Sequence, residues 1–303
     1  PQPDVAQVQD RLLLAQVLEA VRALEAGVLT DVREGDVGAV LGWGFAPWSG
    51  GPFSWLDMQG AAAVVARAEA LAGPVRDILV RIEAAVATPL DFDPRTTSRT
   101  IALMVSDYSL ATVVPPFVRR IAHAAPGMKL TIKPQRNYPG LQLERGDTDL
   151  LIAPRLYSSP DHPSEGLLAD PMVCVMDAAN PLARGMNLAG FAAAQHVGME
   201  PPVSGESYAA RLMRDAGVTI SLAVTTFSFQ SLPDLVRGTD RIALVQKRLA
   251  ERMAREGGGL ALVTPPIPLQ PLEQVIQWHS MRDSDPALIW LRAELQASVA
   301  EGA

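Results

Sequence analysis

The stretch Arg99-Thr-Ile-Ala-Leu-Met-Val-Ser-Asp-Tyr-Ser-Leu-Ala-Thr-Val-Val-Pro-Pro-Phe-Val118 decides the fold. Its apolar run at 101–105 has the length and composition of a buried strand, and a helical pattern follows over 109–124. A polar turn joins the two segments. A strand, a polar turn and a helix in this order form the first part of a βαβ unit, so the stretch predicts an α/β domain.

The same alternation continues through the rest of the chain. The pattern predicts further strands at 129–133, 149–153, 172–176, 196–199, 221–224, 242–245, 260–263 and 275–279. It predicts helices at 207–216, 229–237 and 247–255, with a last helix from 285. Alternation of this kind predicts doubly wound, parallel sheets with crossover helices.

The chain upstream of this domain has a different, all-helical pattern. Apolar residues recur at helical spacing over 5–26 and Gly27 ends that helix, while a second helix is predicted over 59–71. A third helical pattern covers 74–87 and ends before Pro89. We therefore expect a small all-α module ahead of the α/β domain.

Composition narrows the class of protein. A net charge of −7 gives no basic field for nucleic acid, and we expect no direct nucleic-acid contact by this chain. The single cysteine, Cys174, excludes an internal disulfide. No apolar stretch reaches the roughly 20 residues of a membrane helix, so we expect a cytoplasmic protein without membrane contact. The start at Pro1, without Met, suggests a fragment or a processed chain.

The opening stretch, taken with three others, resembles the effector-binding domain of LysR-type transcriptional regulators. In that family a strand leads into a helix with a Pro-Pro pair, and a strand with an acidic-Gly-Asp lead follows, as in Glu144-Arg-Gly-Asp-Thr-Asp-Leu-Leu-Ile152. The segments 225–243 and 277–292 extend the resemblance, which covers about two thirds of the chain.

The resemblance implies a type 2 periplasmic-binding-protein-like domain over 98–303. One lobe would comprise 98–168 plus 264–303 and the other 169–263, with a small-molecule effector between them. Residues 74–90 would be what remains of the family's dimerising linker helix, which implies a homodimer. No winged helix-turn-helix pattern precedes this segment, so we expect a regulator domain that lacks its own DNA-binding domain.

The module at 1–73 resembles a different family. The helix at 8–27 and the Trp-, Gly- and Pro-rich string at 36–53 are similar to the last helical domain of 3-hydroxyacyl-CoA dehydrogenase, an enzyme of fatty-acid oxidation, and the similarity spans 5–72. That family's catalytic His and Glu and its nucleotide-binding domain have no counterpart here, so this alternative is a catalytically incomplete fragment. Whether the junction is a genuine fusion or a joining error is left open, as is an assembly role for the module.

Two polar turns are the candidate effector site. Ser106, Asp107, Tyr108 and Ser109 follow the first strand, where strand ends and helix N-termini create ligand sites in open α/β folds. Ser109 could instead serve only as a helix cap.

The second turn would face the first across the cleft. Thr226, Phe227 and Ser228 precede a helix of the other lobe, although an N-cap role would also explain the hydroxyls. Arg136 and Arg155 follow two further strands and could pair with a carboxylate effector, or simply be solvated.

Other residue patterns in the sequence do not indicate a catalytic, metal or cofactor site. Gly42-Trp-Gly-Phe-Ala-Pro47 has a proline where a dinucleotide-binding loop needs its third glycine. The four histidines are scattered, and no nucleophile elbow occurs. We therefore expect no catalytic residues, no metal and no cofactor.

Overall fold

The computed structural model describes residues 4–67, 92–135, 139–200 and 206–301. The chain divides into two compact units, Pro1–Leu79 and Val80–Ala303. The helical segment predicted at 74–90 lies outside the described residues.

The N-terminal unit is helical, as the periodicity predicted. It contains α1 (Val5–Glu25), α2 (Val32–Trp43), α3 (Pro52–Gln59) and α4, whose described part is residues 61–67. The second predicted helix therefore starts at 61 rather than 59, because Gly60 at φ 78° and ψ 126° ends α3.

A buried carboxylate holds the turn between α2 and α3. Asp36 accepts hydrogen bonds from the Phe53 amide (2.7 Å), the Ser54 amide and the Ser54 hydroxyl (2.7 Å), so it satisfies the first amides of α3. Gly51 has φ 118°, and a Cβ there would lie 2.5 Å from the Asp36 side chain. The turn consequently requires glycine.

The five aromatic residues between positions 43 and 55 separate into two groups. Phe45, Phe53 and Trp55 are buried, and Phe45 and Trp55 pack with Leu14 and Val17 of α1. Trp43 and Trp48 are 77% and 73% exposed.

The C-terminal unit contains two five-stranded sheets. The first, in lobe I, consists of β1 (Thr100–Val105), β2 (Lys129–Pro134), β3 (Leu150–Pro154), β4 (Ser164–Asp170) and β10 (Leu272–Gln277), in the order β2-β1-β3-β10-β4. The second, in lobe II, consists of β5 (Met172–Asp177), β6 (Gln195–Met199), β7 (Ser221–Thr226), β8 (Ile242–Gln246) and β9 (Leu260–Val263), in the order β7-β6-β8-β5-β9.

Helices connect the strands within each lobe. Lobe I carries α5 (Asp107–Thr112), α6 (Val114–Ala124), α7 (Pro139–Glu144) and α12 (Pro286–Glu301). Lobe II carries α8 (Leu188–Ala193), α9 (Tyr208–Asp215), α10 (Leu232–Val236) and α11 (Lys247–Gly257).

The sheets are mixed, whereas the sequence pattern predicted wholly parallel ones. β1 is parallel to β2 and β3, and β6 is parallel to β7 and β8, but β10 and β5 run antiparallel to both of their neighbours. These two are the first strands after the chain crosses from one lobe to the other. Each inserts between two strands of its sheet and runs opposite to both.

Strand periodicity divides each lobe's core between the two faces of its sheet. In β5, Cys174 and Met176 pack on one face with Phe191, and Val175 packs on the other face with Val236. Successive side chains of a strand point to opposite faces, so an uninterrupted apolar strand requires cover on both sides. The two-sided arrangement confirms the predicted α/β class.

A Pro-Pro pair divides the helix that was predicted as continuous over 109–124. Pro115 and Pro116 have no amide hydrogen, so they cannot donate to the carbonyls of residues 111 and 112. The carbonyl of Ala111 instead accepts from the guanidinium of Arg252 in α11. The break therefore gives lobe I a contact with lobe II.

Candidate functional site

The turn after β1 leads directly into α5. Ser106 is the N-cap, and its hydroxyl accepts from the Ser109 amide at 3.3 Å and lies 3.2 Å from the Ser109 hydroxyl. Ser109 is fully buried and donates to Oε1 of Gln274 in β10 at 3.0 Å. The capping alternative is thus realised by Ser106, while Ser109 bonds to the neighbouring strand.

Asp107 connects the two lobes. Its Oδ2 accepts from the Ser228 hydroxyl at 2.7 Å and from the Gln230 amide nitrogen at 3.3 Å. The Gln230 side chain also donates to the Asp107 carbonyl at 3.4 Å. The two turns predicted from the sequence are therefore in direct contact.

Tyr108 makes a second connection, nearer to the crossing between lobes. Tyr108 and Asp170 are each 1% exposed, and the tyrosine hydroxyl donates to Asp170 Oδ2 at 2.6 Å. Asp170 ends β4 and also accepts from the Arg248 amide at 3.2 Å, at the start of α11. Tyr108 is consequently part of the interlobe core and contributes almost no accessible surface.

Burial controls the ionisation of this pair. Burial raises the pKa of the Asp170 carboxyl, while the hydrogen bonds from Tyr108 and the Arg248 amide oppose that shift. Burial, with the adjacent Asp170 charge, raises the pKa of Tyr108. The tyrosine is therefore a permanent donor at neutral pH.

An apolar cluster surrounds this connection. Tyr108 and Ala111 of lobe I pack with Leu249 of α11 and with Leu272. The ring of Phe229 meets Tyr108 edge-on, with 6.4 Å between centroids. The lobes are thus closely packed beside the crossing.

The lobe II turn has one exposed aromatic side chain. Phe227 is 85% exposed, whereas Thr226 and Ser228 are half-buried. The Thr226 hydroxyl lies 2.9 Å from that of Ser231, at the end of the short 3-10 helix that follows the turn.

One of the two predicted arginines, Arg155, pairs with a residue outside the two turns. Arg155 is exposed at the end of β3, and its Nε donates to Glu273 at 3.0 Å. Arg136 lies outside the described residues. Nearby, the Tyr157 hydroxyl donates across the lobes to the Glu206 carbonyl at 3.4 Å.

A separate depression of about 400 Å³ lies in lobe I. It is lined by Lys133, Pro134, Gln142, Arg145 and Asp147. None of these residues belongs to the predicted effector site.

Sequence reasoning missed three residues of this region. They are Asp170, Gln230 and Gln274, and of these Asp170 and Gln274 reach the first turn only through pairing of distant segments. Gln230 lies two residues after the predicted 226–228 turn, and this position is the only feature of the sequence that could have indicated its role.

The LysR substrate binding domain family matches residues 94–300. Nodulation protein D 2 of Sinorhizobium fredii is 33% identical over 236 residues, which are 76% of this chain and 74% of that protein. Nodulation protein D 1 of Bradyrhizobium elkanii is 32% identical over 230 residues, with 74% and 72% covered.

Two solved structures share the fold. A probable transcriptional regulator from Pseudomonas aeruginosa has a TM-score of 0.64 at 24% identity and covers 77% of this chain, which covers 76% of that chain. The regulatory domain of MexT, a transcriptional activator in Pseudomonas aeruginosa, has a TM-score of 0.60 at 20% identity, with 67% and 99% covered.

The two-lobed fold and these matches define the effector-binding domain of a transcriptional regulator, and the predicted type 2 periplasmic-binding-protein-like fold is confirmed. The chain belongs to the LysR family, in which it carries the substrate binding domain. Members of this family are regulators rather than enzymes, which confirms the prediction that the chain is not an enzyme.

The dehydrogenase resemblance of residues 5–72 receives no support, because neither the matching family nor the relatives described above are dehydrogenases. Among the helices of the described ranges, none is long and apolar enough to cross a membrane.

Proposed function

We propose that this chain senses a small-molecule effector that binds between its two lobes, in contact with the turns after β1 and β7. One observation carries the proposal: Asp107 of one turn and Ser228 of the other meet at 2.7 Å. In open α/β folds ligands bind outside the carboxyl ends of parallel strands, and both turns follow such strand ends.

The chemistry of the turns supports a small polar ligand. Ser106, Thr226 and Ser228 carry hydroxyls, which donate and accept hydrogen bonds, and Phe227 offers an exposed apolar ring. A pocket with a few polar groups beside apolar surface is the usual form of a small-molecule site.

A carboxylate is the effector class we propose. Arg155 follows β3 on the same edge of the lobe I sheet as the turn, and guanidinium groups bind carboxylates with two parallel hydrogen bonds. Glu273 now accepts from Arg155, so an effector carboxylate would have to compete with it. A net gain is possible because this ion pair is exposed and such pairs contribute little.

The output would be a shift between two lobe arrangements. A ligand that contacts both lobes favours the arrangement in which both contacts form, to the extent of its differential affinity. We further propose that the chain acts as a homodimer, through which this shift would be passed on.

A thermal-shift screen of small aliphatic and aromatic carboxylic acids tests the proposal. An acid present at 100 times its Kd raises the free energy of unfolding by about 2.7 kcal/mol. For a unit of this size the melting temperature should rise by roughly 5–11 °C. The shift should fall in Arg155→Met but persist in Arg119→Met, a control at an exposed position of α6. If no acid raises the melting temperature, the carboxylate proposal fails; if Arg155→Met retains the full shift, Arg155 has no role.

A further inference from the structure

α5 belongs to lobe I, yet several of its residues bind lobe II. Asp107 accepts from Ser228 and from the Gln230 amide, and the Ala111 carbonyl accepts from Arg252. Tyr108 reaches α11 through Asp170. Motion of one lobe relative to the other must therefore change the contacts of this six-residue helix.

The contacts of α5 differ in how readily they can break. Tyr108 and Asp170 are fully buried, and Asp170 immediately precedes the crossing into lobe II at Pro171. A point on the crossing moves least when two lobes rotate about it. The Tyr108–Asp170 hydrogen bond can therefore survive a rotation of the lobes.

The Asp107 contact has the opposite properties. Asp107, Ser228 and Gln230 are half-buried, and Ser228 lies in a loop rather than beside the crossing. Water can replace the donors when the contact breaks, so its rupture does not leave an unsatisfied carboxylate. This contact can open without unfolding either lobe.

Charge gives the Asp107 contact most of its strength. Hydrogen bonds to an ionised acceptor are shorter and roughly twice as strong as neutral ones, and Ser228 lies at 2.7 Å. Two other interlobe bonds, from Arg252 to the Ala111 carbonyl and from Tyr208 to the Pro271 carbonyl, involve residues of the apolar cluster around Tyr108. A further one, from Tyr157 to the Glu206 carbonyl, is neutral and 3.4 Å long. Asp107 therefore makes the strongest of these interlobe contacts outside the cluster around Tyr108.

We propose that Asp107 is a releasable latch that holds the two lobes closed when no effector is present, and that the lobes pivot at the Tyr108–Asp170 contact. In the latched state Asp107 occupies the donors of the lobe II turn. Release of the latch frees the Ser228 hydroxyl and the Gln230 amide together.

The latch has a quantitative consequence for any ligand that needs the open state. Its apparent Kd is the intrinsic Kd divided by the fraction of open molecules. A variant that opens the lobes about tenfold more often would bind such a ligand up to tenfold more tightly.

The test measures lobe separation without any effector, so its result is independent of the proposed function. Nitroxide labels are attached to Arg145→Cys in lobe I and Ala216→Cys in lobe II, both exposed positions, and distances are measured by pulsed electron spin resonance. The native Cys174 is buried and should not be labelled. The latch is removed by Asp107→Ala.

We expect Asp107→Ala to lengthen the mean distance and to raise the open-to-closed ratio about tenfold, which corresponds to about 1.4 kcal/mol. Ser228→Ala, which removes the donor from the other lobe, should change the distance in the same direction and serves if Asp107→Ala does not fold. Asp161→Ala, at an exposed position of lobe I, is the matched control and should leave the distance unchanged. Distance distributions of Asp107→Ala and Ser228→Ala that superimpose on that of the parent would overturn the proposal.

Discussion

Removal of one buried hydroxyl tests the role of the interlobe core. Tyr108→Phe keeps the aromatic ring that packs with Ala111, Leu249 and Leu272 but removes the donor to Asp170. Because Asp170 is 1% exposed, water cannot readily replace the lost donor.

The expected loss of stability in Tyr108→Phe depends on which hydrogen bonds Asp170 retains. Its carboxylate keeps the Arg248 amide at 3.2 Å and loses the shorter bond from Tyr108, at 2.6 Å. A hydrogen bond to a charged group contributes about 1.5–3 kcal/mol, and we expect a loss of about 2 kcal/mol in the free energy of unfolding. For a unit of this size the melting temperature should fall by roughly 4–8 °C.

The assay is equilibrium unfolding in urea at neutral pH, with thermal melting as a second measure. Tyr157→Phe is the matched control, since the Tyr157 hydroxyl makes a 3.4 Å bond at an exposed position. That control should lie within about 0.5 kcal/mol of the parent.

Equal stability of the two phenylalanine variants would refute the reasoning, because the buried and the exposed hydroxyl would then contribute alike. Asp170→Asn provides a further check. The amide oxygen can still accept from Tyr108, while the neutral group avoids the cost of burying a charge, so its loss should be smaller than that of Tyr108→Phe.

Three further predictions concern other parts of the chain. Asp36→Ala should speed hydrogen exchange of the α3 amides by a factor that reflects about 1–3 kcal/mol, and unchanged exchange would contradict the capping role. Burial raises the pKa of the Cys174 thiol to about 12, so Ellman's reagent at pH 8 should modify this thiol only after denaturation. Rapid reaction of the native protein would contradict the burial of Cys174. Burial alone would raise the pKa of Asp285, but the bidentate ion pair with Arg99 outweighs burial and lowers that pKa. The ionised Asp285 therefore stabilises the folded state above about pH 4, and this contribution is lost as the pH falls further. Below about pH 4 the free energy of unfolding of Asp285→Asn should accordingly fall less steeply with decreasing pH than that of the parent. Equal slopes for the two proteins would contradict the contribution of this ion pair.

The fold was largely predictable because local patterns and global packing agree. Strands such as β5 and β8 are apolar on both faces, which sequence periodicity detects directly. β4 was missed, since Ser164–Asp170 begins with polar, exposed residues and has no continuous apolar run. The reversed direction of β5 and β10 was also missed, because direction depends on where the chain crosses between lobes rather than on local composition.

The candidate site was predictable only in part, for a similar reason. The turns at 106–109 and 226–228 follow strand ends, and that position is visible in the sequence. The partners of these turns are not: Ser109 bonds to Gln274, 165 residues away, and Tyr108 to Asp170, 62 residues away. Tyr108 was predicted to line the effector site, and its burial follows from packing against α11, a contact that no local pattern indicates.

The most direct test of an effector site between the lobes is hydrogen exchange, measured with and without the acid that gives the largest thermal shift. Ligand contact slows exchange of the amides that it orders. We expect added protection at residues 106–112 and 226–231, on both sides of the contact between Asp107 and Ser228. Protection confined to other segments, with no change at these two, would contradict the proposed site.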